Sequence, residues 1–196
     1  MLTQRRLLTW IGVLGAAILF AGTLYANTSA GTGTPNGATP DGGEPGIWQE
    51  HKYSFNFMGF TTTYSCDGLE DKLKLLLKLS GAGPGTQVVG SCTRGYGRPD
   101  KLAMAYLTFS SLQPGTAPAA GPPGAPGSWR HVALSPRHPN QLELGDCELI
   151  EEFRDRVLPL FTTRNISNDV TCVPHQSSGS NFILSYDVFA APPAAK

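Results

Sequence analysis

The chain has 196 residues, 40% of them apolar, and balances 15 Lys/Arg against 15 Asp/Glu for a formal net charge of zero. That apolar fraction sustains a packed core of one or two domains. With no net positive charge there is no basic field to gather nucleic acid or an anionic lipid surface, so a nucleic-acid partner is excluded.

Arg5 and Arg6 precede an apolar run from Leu7 to about Ala26, the layout of an export signal whose positive end stays in the cytoplasm. Residues 1–26 therefore read as a signal-anchor or a signal peptide. The run has the length of a membrane span, with Trp10 and Tyr25 near its ends as interfacial anchors. Thr28-Ser29-Ala30 offers the small residues of a cleavage site after Ala30. The two outcomes are an inner-membrane-anchored protein facing the periplasm, or a soluble periplasmic or secreted one. Residues 27–44, NTSAGTGTPNGATPDGGE, hold no large apolar side chain and read as a flexible linker.

Beyond residue 44 a sparse pattern occurs twice. Pro45-Gly46-x-Trp48 recurs as Pro126-Gly127-x-Trp129, Cys66 as Cys147, Cys92 as Cys172, and Tyr106-x-x-Phe109 as Tyr186-x-x-Phe189. Trp and Cys number only three and four in the chain, so a register shared by both implies internal duplication. The first repeat spans 45–112, a Pro/Gly/Ala linker 113–125, the second repeat 126–191, and a tail 192–196. In the first repeat, aromatics alternate over Tyr53–Phe60 as in a half-buried strand. A helix follows Cys66, with Asp67, Glu70 and Asp71 early, Lys74 and Lys78 late, and a leucine stripe at 69, 73, 76 and 77. Strands are expected at Gln87–Cys92 and Leu102–Phe109. The second repeat offers strands at Trp129–Leu134, Asp169–Val173 and Phe182–Phe189, and a helix from Asp146-Cys147 that Pro159 ends or kinks. Each repeat is β-α-β-β. The fold class is α+β, with two disulfide-stapled lobes forming one antiparallel or mixed sheet of about six strands and helices on one face.

A helix of about fifteen residues and a return strand of six or seven cover similar lengths in opposite directions, which brings each repeat's two cysteines to one end. The pairs Cys66–Cys92 and Cys147–Cys172 are expected, each contributing roughly 3.5 kcal/mol by loop closure. Spacings near 25 without any CxxC argue against metal, and Cys172-Val-Pro-His175 lacks the second cysteine of a haem attachment motif. No cofactor, metal ligand or catalytic residue is expected. The carboxylates Asp67, Glu70, Asp71, Glu148, Glu151, Glu152 and Asp155 lie where helix dipoles place them. His51 and His131 are not at matched repeat positions, and no serine lies in G-x-S-x-G. The loop Thr93–Arg98 reads as a Gly-rich hairpin connection. Trp48, Trp129, Tyr106, Tyr186, Phe109 and Phe189 are the repeat anchors, expected in the core or between lobes.

These readings describe a non-catalytic interaction or accessory module of the envelope, tethered to the membrane through its N-terminal segment alone, whose partner is another envelope protein. The alternative is a small-ligand-binding protein using the groove between two pseudo-symmetric lobes.

Overall fold

A computed structural model describes residues 43–91, 98–117 and 124–192. The N-terminal segment, most of the 27–44 linker, Cys92 and the 93–97 part of the Gly-rich loop lie outside these residues. In chain order the elements are β1 (Glu44–Met58), α1 (Cys66–Leu79), β2 (Gln87–Ser91), β3 (Leu102–Pro114), β4 (Gly124–Leu134), α2 (Cys147–Arg156), β5 (Thr163–Thr171) and β6 (Asn181–Ala190).

The six strands form one antiparallel sheet in the order β2-β3-β1-β4-β6-β5. The fold is α+β. Read from the middle outward, the order is the same on both sides: first strand of the set, then third, then second. The two halves meet where β1 pairs with β4 over four residue pairs, Glu44↔Gly127 to Ile47↔Gly124, with Pro45 opposite Pro126. Proline in a central strand ordinarily removes a ladder hydrogen bond. Here Pro45 O accepts from Gly115 N at 2.9 Å, so the polar groups of Pro45 point toward β3. Its missing N–H takes nothing from the β1–β4 ladder.

Alternation decides which face is buried. Phe55 and Phe57 of β1, Ala105 and Leu107 of β3, and Leu184 and Tyr186 of β6 point the same way and are 0–1% exposed. Helix α1 begins at Ser65, whose Oγ accepts from Gly68 N at 3.2 Å. Its leucines 69, 73, 76 and 77 are fully buried, each contributing about 1.5–3 kcal/mol. Leu149, Ile150 and Phe153 of α2 enter the same apolar cluster, so both helices and strands of both halves share one core. Helix α2 is preceded by a short 3-10 turn, Leu144–Asp146. Pro159 lies in a second one, Leu158–Leu160, and so ends the helix as its ring requires.

Several strand boundaries differ from the sequence reading, and the difference has one cause. The PGxW segments do not lie ahead of the strands; they belong to β1 and β4, and β3 runs on to Pro114. Pairing in the middle of the sheet overrides the low strand propensity of Pro and Gly. Strand β5 runs over Thr163–Thr171 instead of Asp169–Val173, and it is exposed along nearly all its length. As a polar edge strand it carries no apolar alternation to announce it.

Candidate functional site

Asp67 and Asp71 are exposed, whereas Glu148, Glu70 and Asp155, together with Asp146, are engaged in structure. Glu148 is 7% exposed and accepts from Phe60 N at 2.8 Å, Thr61 N at 3.1 Å and Thr61 Oγ1 at 3.1 Å. Asp146, 3% exposed, receives Tyr64 Oη, Glu143 N at 2.7 Å and Lys72 Nζ at 2.6 Å. Burial, reinforced by Asp146, pushes the Tyr64 phenol far above its ordinary pKa, so it stays a donor. Glu70 accepts from Gly90 N at 2.7 Å, and that bond holds its carboxyl below the usual range. Asp155 is held low by Arg154. A carboxylate whose lone pairs are taken up by backbone and side-chain donors has no proton to exchange with a substrate. Glu148 and Asp146 latch the loop after β1, and Lys72 of α1, onto the start of α2, while Glu70 ties α1 to β2.

Of the histidines, His51 is part-buried. Its Nε2 lies 2.8 Å from Ser111 Oγ, which donates to Leu160 O at 2.8 Å. Because the serine proton is committed to the carbonyl, the histidine donates through Nε2, and burial lowers its pKa. His131 contacts Asp187 at 3.0 Å on the surface, and His175 meets the exposed Phe60 ring edge-on at 6.0 Å. The four do not converge. Among the described residues no group of three or more His, Cys, Asp or Glu is placed to hold a metal ion.

Cys147 and Cys172 form a disulfide, with Cα atoms 5.6 Å apart. It fastens the start of α2 beside the end of β5. Cys66 is not a free thiol, and its expected partner Cys92 lies outside the described residues.

The repeat anchors divide. Trp48 and Trp129 lie on the sheet face opposite the helices, directly across from Leu112 and Phe189, which are 0% and 1% exposed. A β-carbon on Gly46 would sit 2.7 Å from Leu112, and one on Gly127 would sit 2.4 Å from the Phe189 ring. Glycine is therefore required at both positions to let those side chains cross the seam. Tyr106 does not behave as an anchor: it is 54% exposed, whereas Tyr186 is fully buried, its Oη 2.7 Å from Ser80 Oγ. Phe109 faces the helices and stacks on Phe161, while Phe189 faces away and packs on Trp129. The spatial counterpart of Phe189 is Leu112, three residues from the position given by the Tyr-x-x-Phe spacing. A register displaced by an odd number turns every side chain to the other face.

Two features are left uncommitted by this packing. On the helix-free face, Met58, Leu102, Tyr106 and Val89 are exposed and adjacent through the β1–β3–β2 register. In the middle of the sheet, β1 and β4 run in opposite directions and pair over four positions only. Beyond them, among the described residues, no strand pairs with the inner side of β1 past Trp48 or with that of β4 past Gly127. On β4 the orientation of that edge follows from β6: Phe189 N donates to Thr162 O, so Trp129↔Phe189 is a non-hydrogen-bonded pair. The N–H and C=O groups of Trp129, His131 and Ala133 accordingly point into the gap. A cleft of about 410 Å³ opens there, lined by Leu79, Arg130, Val132, His138 and Asn140.

The chain matches no family model and has no significant match among curated proteins or solved structures. The hollow at the seam itself, about 410 Å³ around Pro45, Gly46, Thr116, Ala125 and Pro126, is lined by no charged side chain. Among the described residues no helix is long and apolar enough to cross a membrane; the 7–26 run lies outside them.

Proposed function

We propose that this chain is an exported, non-catalytic interaction module, an internally duplicated β-α-β-β domain held near the membrane by its N-terminal segment and docking another envelope protein. The observation that carries the reading is the contrast between Asp146 and Glu148, whose oxygens are taken up by donors of the fold, and the exposed apolar patch of Met58, Leu102, Tyr106 and Val89 on the helix-free face, a surface that a protein partner would cover. The palindromic strand order, and Pro45 facing its repeat counterpart Pro126, support duplication into two lobes about a pseudo-twofold axis, each stapled by its own disulfide. A small-ligand protein would present a pocket between lobes with converging polar groups, and the uncharged seam hollow does not favour it.

Chemical cross-linking in intact cells, followed by mass spectrometry of the purified full-length chain, tests the reading. A discrete cross-linked protein partner is expected. A stoichiometric small molecule retained in native mass spectra, with no protein cross-link, would replace it with the ligand-binding alternative. N-terminal sequencing fixes the tether: a mature chain starting at Gly31 removes the anchor and leaves the module soluble.

A further inference from the structure

We propose that the exposed apolar patch on the helix-free face of β1, β3 and β2 takes an amphipathic helix of the partner protein, an apolar stripe with carboxylates at its ends. This rests on the interaction-module reading and names its site and the chemistry of its partner.

Met58 lies directly across from Leu102, and Tyr106 directly across from Val89. All four are 54–57% exposed, and the half-buried Met104 joins them on the same face, between Leu102 and Tyr106. Leu102 to Tyr106 covers about 13 Å of strand, the rise of about nine helical residues, so apolar side chains at i, i+4 and i+8 match it. On the other face of these strands the leucine stripe of α1 shares a core with Phe55, Phe57 and Leu107, the packing that a partner helix would repeat here. The fold itself does not ask for apolar side chains in the patch. Leu112 and Phe189 are spatial counterparts, and six residues before them stand Tyr106 and Ile183. Tyr106 faces Val89, whereas Ile183 faces Asp169, and Met104 corresponds to Asn181. The second half builds the same strands with polar residues at two of these places, so the apolar choice in the first half marks a surface for contact.

Charge fixes the chemistry of the ends. Arg98 and Lys101 are exposed at the Leu102 end, and neither has an ion-pair partner among the described residues. Asp100, between them, accepts from Lys101 N at 2.7 Å. Past Tyr106 on the same face, the Lys52 side chain is 77% exposed, and its 3.3 Å contact with Glu50 is a weak surface pair that a partner's carboxylate can replace. Within the patch the neighbours Ser54, Asn56 and Ser91 are uncharged, so an ion brought there would be buried without a partner. An apolar centre with acidic ends is therefore the complementary surface.

The chain holds three methionines, and Met58 and Met104 both lie in the patch, so NMR of methionine methyl groups reads the site directly. The full chain in phosphatidylcholine nanodiscs is titrated with acetyl-Glu-Glu-Leu-Gln-Ala-Gln-Leu-Leu-Gln-Ala-Leu-Glu-Glu-amide, and with a control peptide carrying Gln for every Glu. The Met58 and Met104 signals should shift with half-saturation at or below about 1 mM, and the control should need at least about threefold more. Val89→Asp, which copies Asp169 of the second half, should abolish the shift, and Lys101→Glu should weaken binding about threefold; if Val89→Asp misfolds, the exposed Lys101→Glu decides. No shift with either peptide overturns the proposal, and equal shifts with both overturn its acidic component. Shifts that follow protein concentration without peptide assign the patch to a second copy of the chain, and shifts on exchanging phosphatidylcholine for phosphatidylglycerol assign it to lipid. Either result overturns the proposal. A cellular partner that cross-links to Val89→Asp as well as to the native chain refutes this site while leaving the interaction-module reading standing.

Discussion

Gly127→Ala tests the packing of the seam. The new methyl would sit 2.4 and 2.5 Å from Phe189 ring carbons and 2.7 Å from Leu112 Cδ2. Both neighbours are buried, so neither can swing into solvent. Overpacking of this kind costs about 1–3 kcal/mol. Replacing a strand glycine returns about 0.5–1 kcal/mol of backbone entropy, leaving a net loss of about 1 kcal/mol at the middle of the two ranges. For a domain of this size that lowers Tm by about 2–4 °C. Urea denaturation of the oxidised protein should show a lower midpoint with an unchanged slope. Phe189→Leu removes the clashing ring edge, so the double variant should be less destabilised than the sum of the singles, with a coupling of about 1 kcal/mol. A Gly127→Ala protein within about 0.5 kcal/mol of the native chain, or a strictly additive cycle, would show that the ring and the glycine do not share the space assigned to them.

Replacing Cys147 and Cys172 together by Ala opens a 25-residue separation and should lower unfolding free energy by about 3.5 kcal/mol, measured by denaturant titration. Tyr186→Phe strands the buried Ser80 hydroxyl and should cost about 1–2 kcal/mol; adding Ser80→Ala should recover part of it in the same titration. Burial lowers the pKa of His51 in the fold. The unfolded chain then binds the proton more readily, so this stability term is fully present above about pH 6.5 and is lost as pH falls below it. The unfolding midpoint should therefore fall between pH 7.5 and 5, and His51→Asn should flatten that slope.

The helices were legible wherever local chemistry is self-sufficient. Leu69, Leu73, Leu76 and Leu77 announce α1 by spacing, and Cys147 with Cys172 announces a staple by separation alone. The strands were legible only where one face is apolar, as at Phe55 and Phe57. β5 has no such face, so its start at Thr163 left no trace, and the PGxW segments read as punctuation because their strand conformation is imposed by partners far away in the chain. Tyr106 illustrates a deeper limit. Its match with Tyr186 is real in sequence, yet the β1–β3 and β4–β6 registers differ by three, and no one-dimensional spacing encodes which face a strand presents.

The narrowness of the seam bears on the order in which the chain folds. Among the described residues, every ladder except one joins strands within a single half: β1 with β3, β2 with β3, β4 with β6, β5 with β6. Of the described pairs, those from Glu44↔Gly127 to Ile47↔Gly124 cross between halves. Loop closure within a half is entropically cheaper than closure across the whole chain. Each three-stranded set can therefore nucleate by itself, with the Pro45/Pro126 junction closing last. Substitutions at Gly46 or Gly127 should then act on the unfolding rate and leave the folding rate nearly untouched.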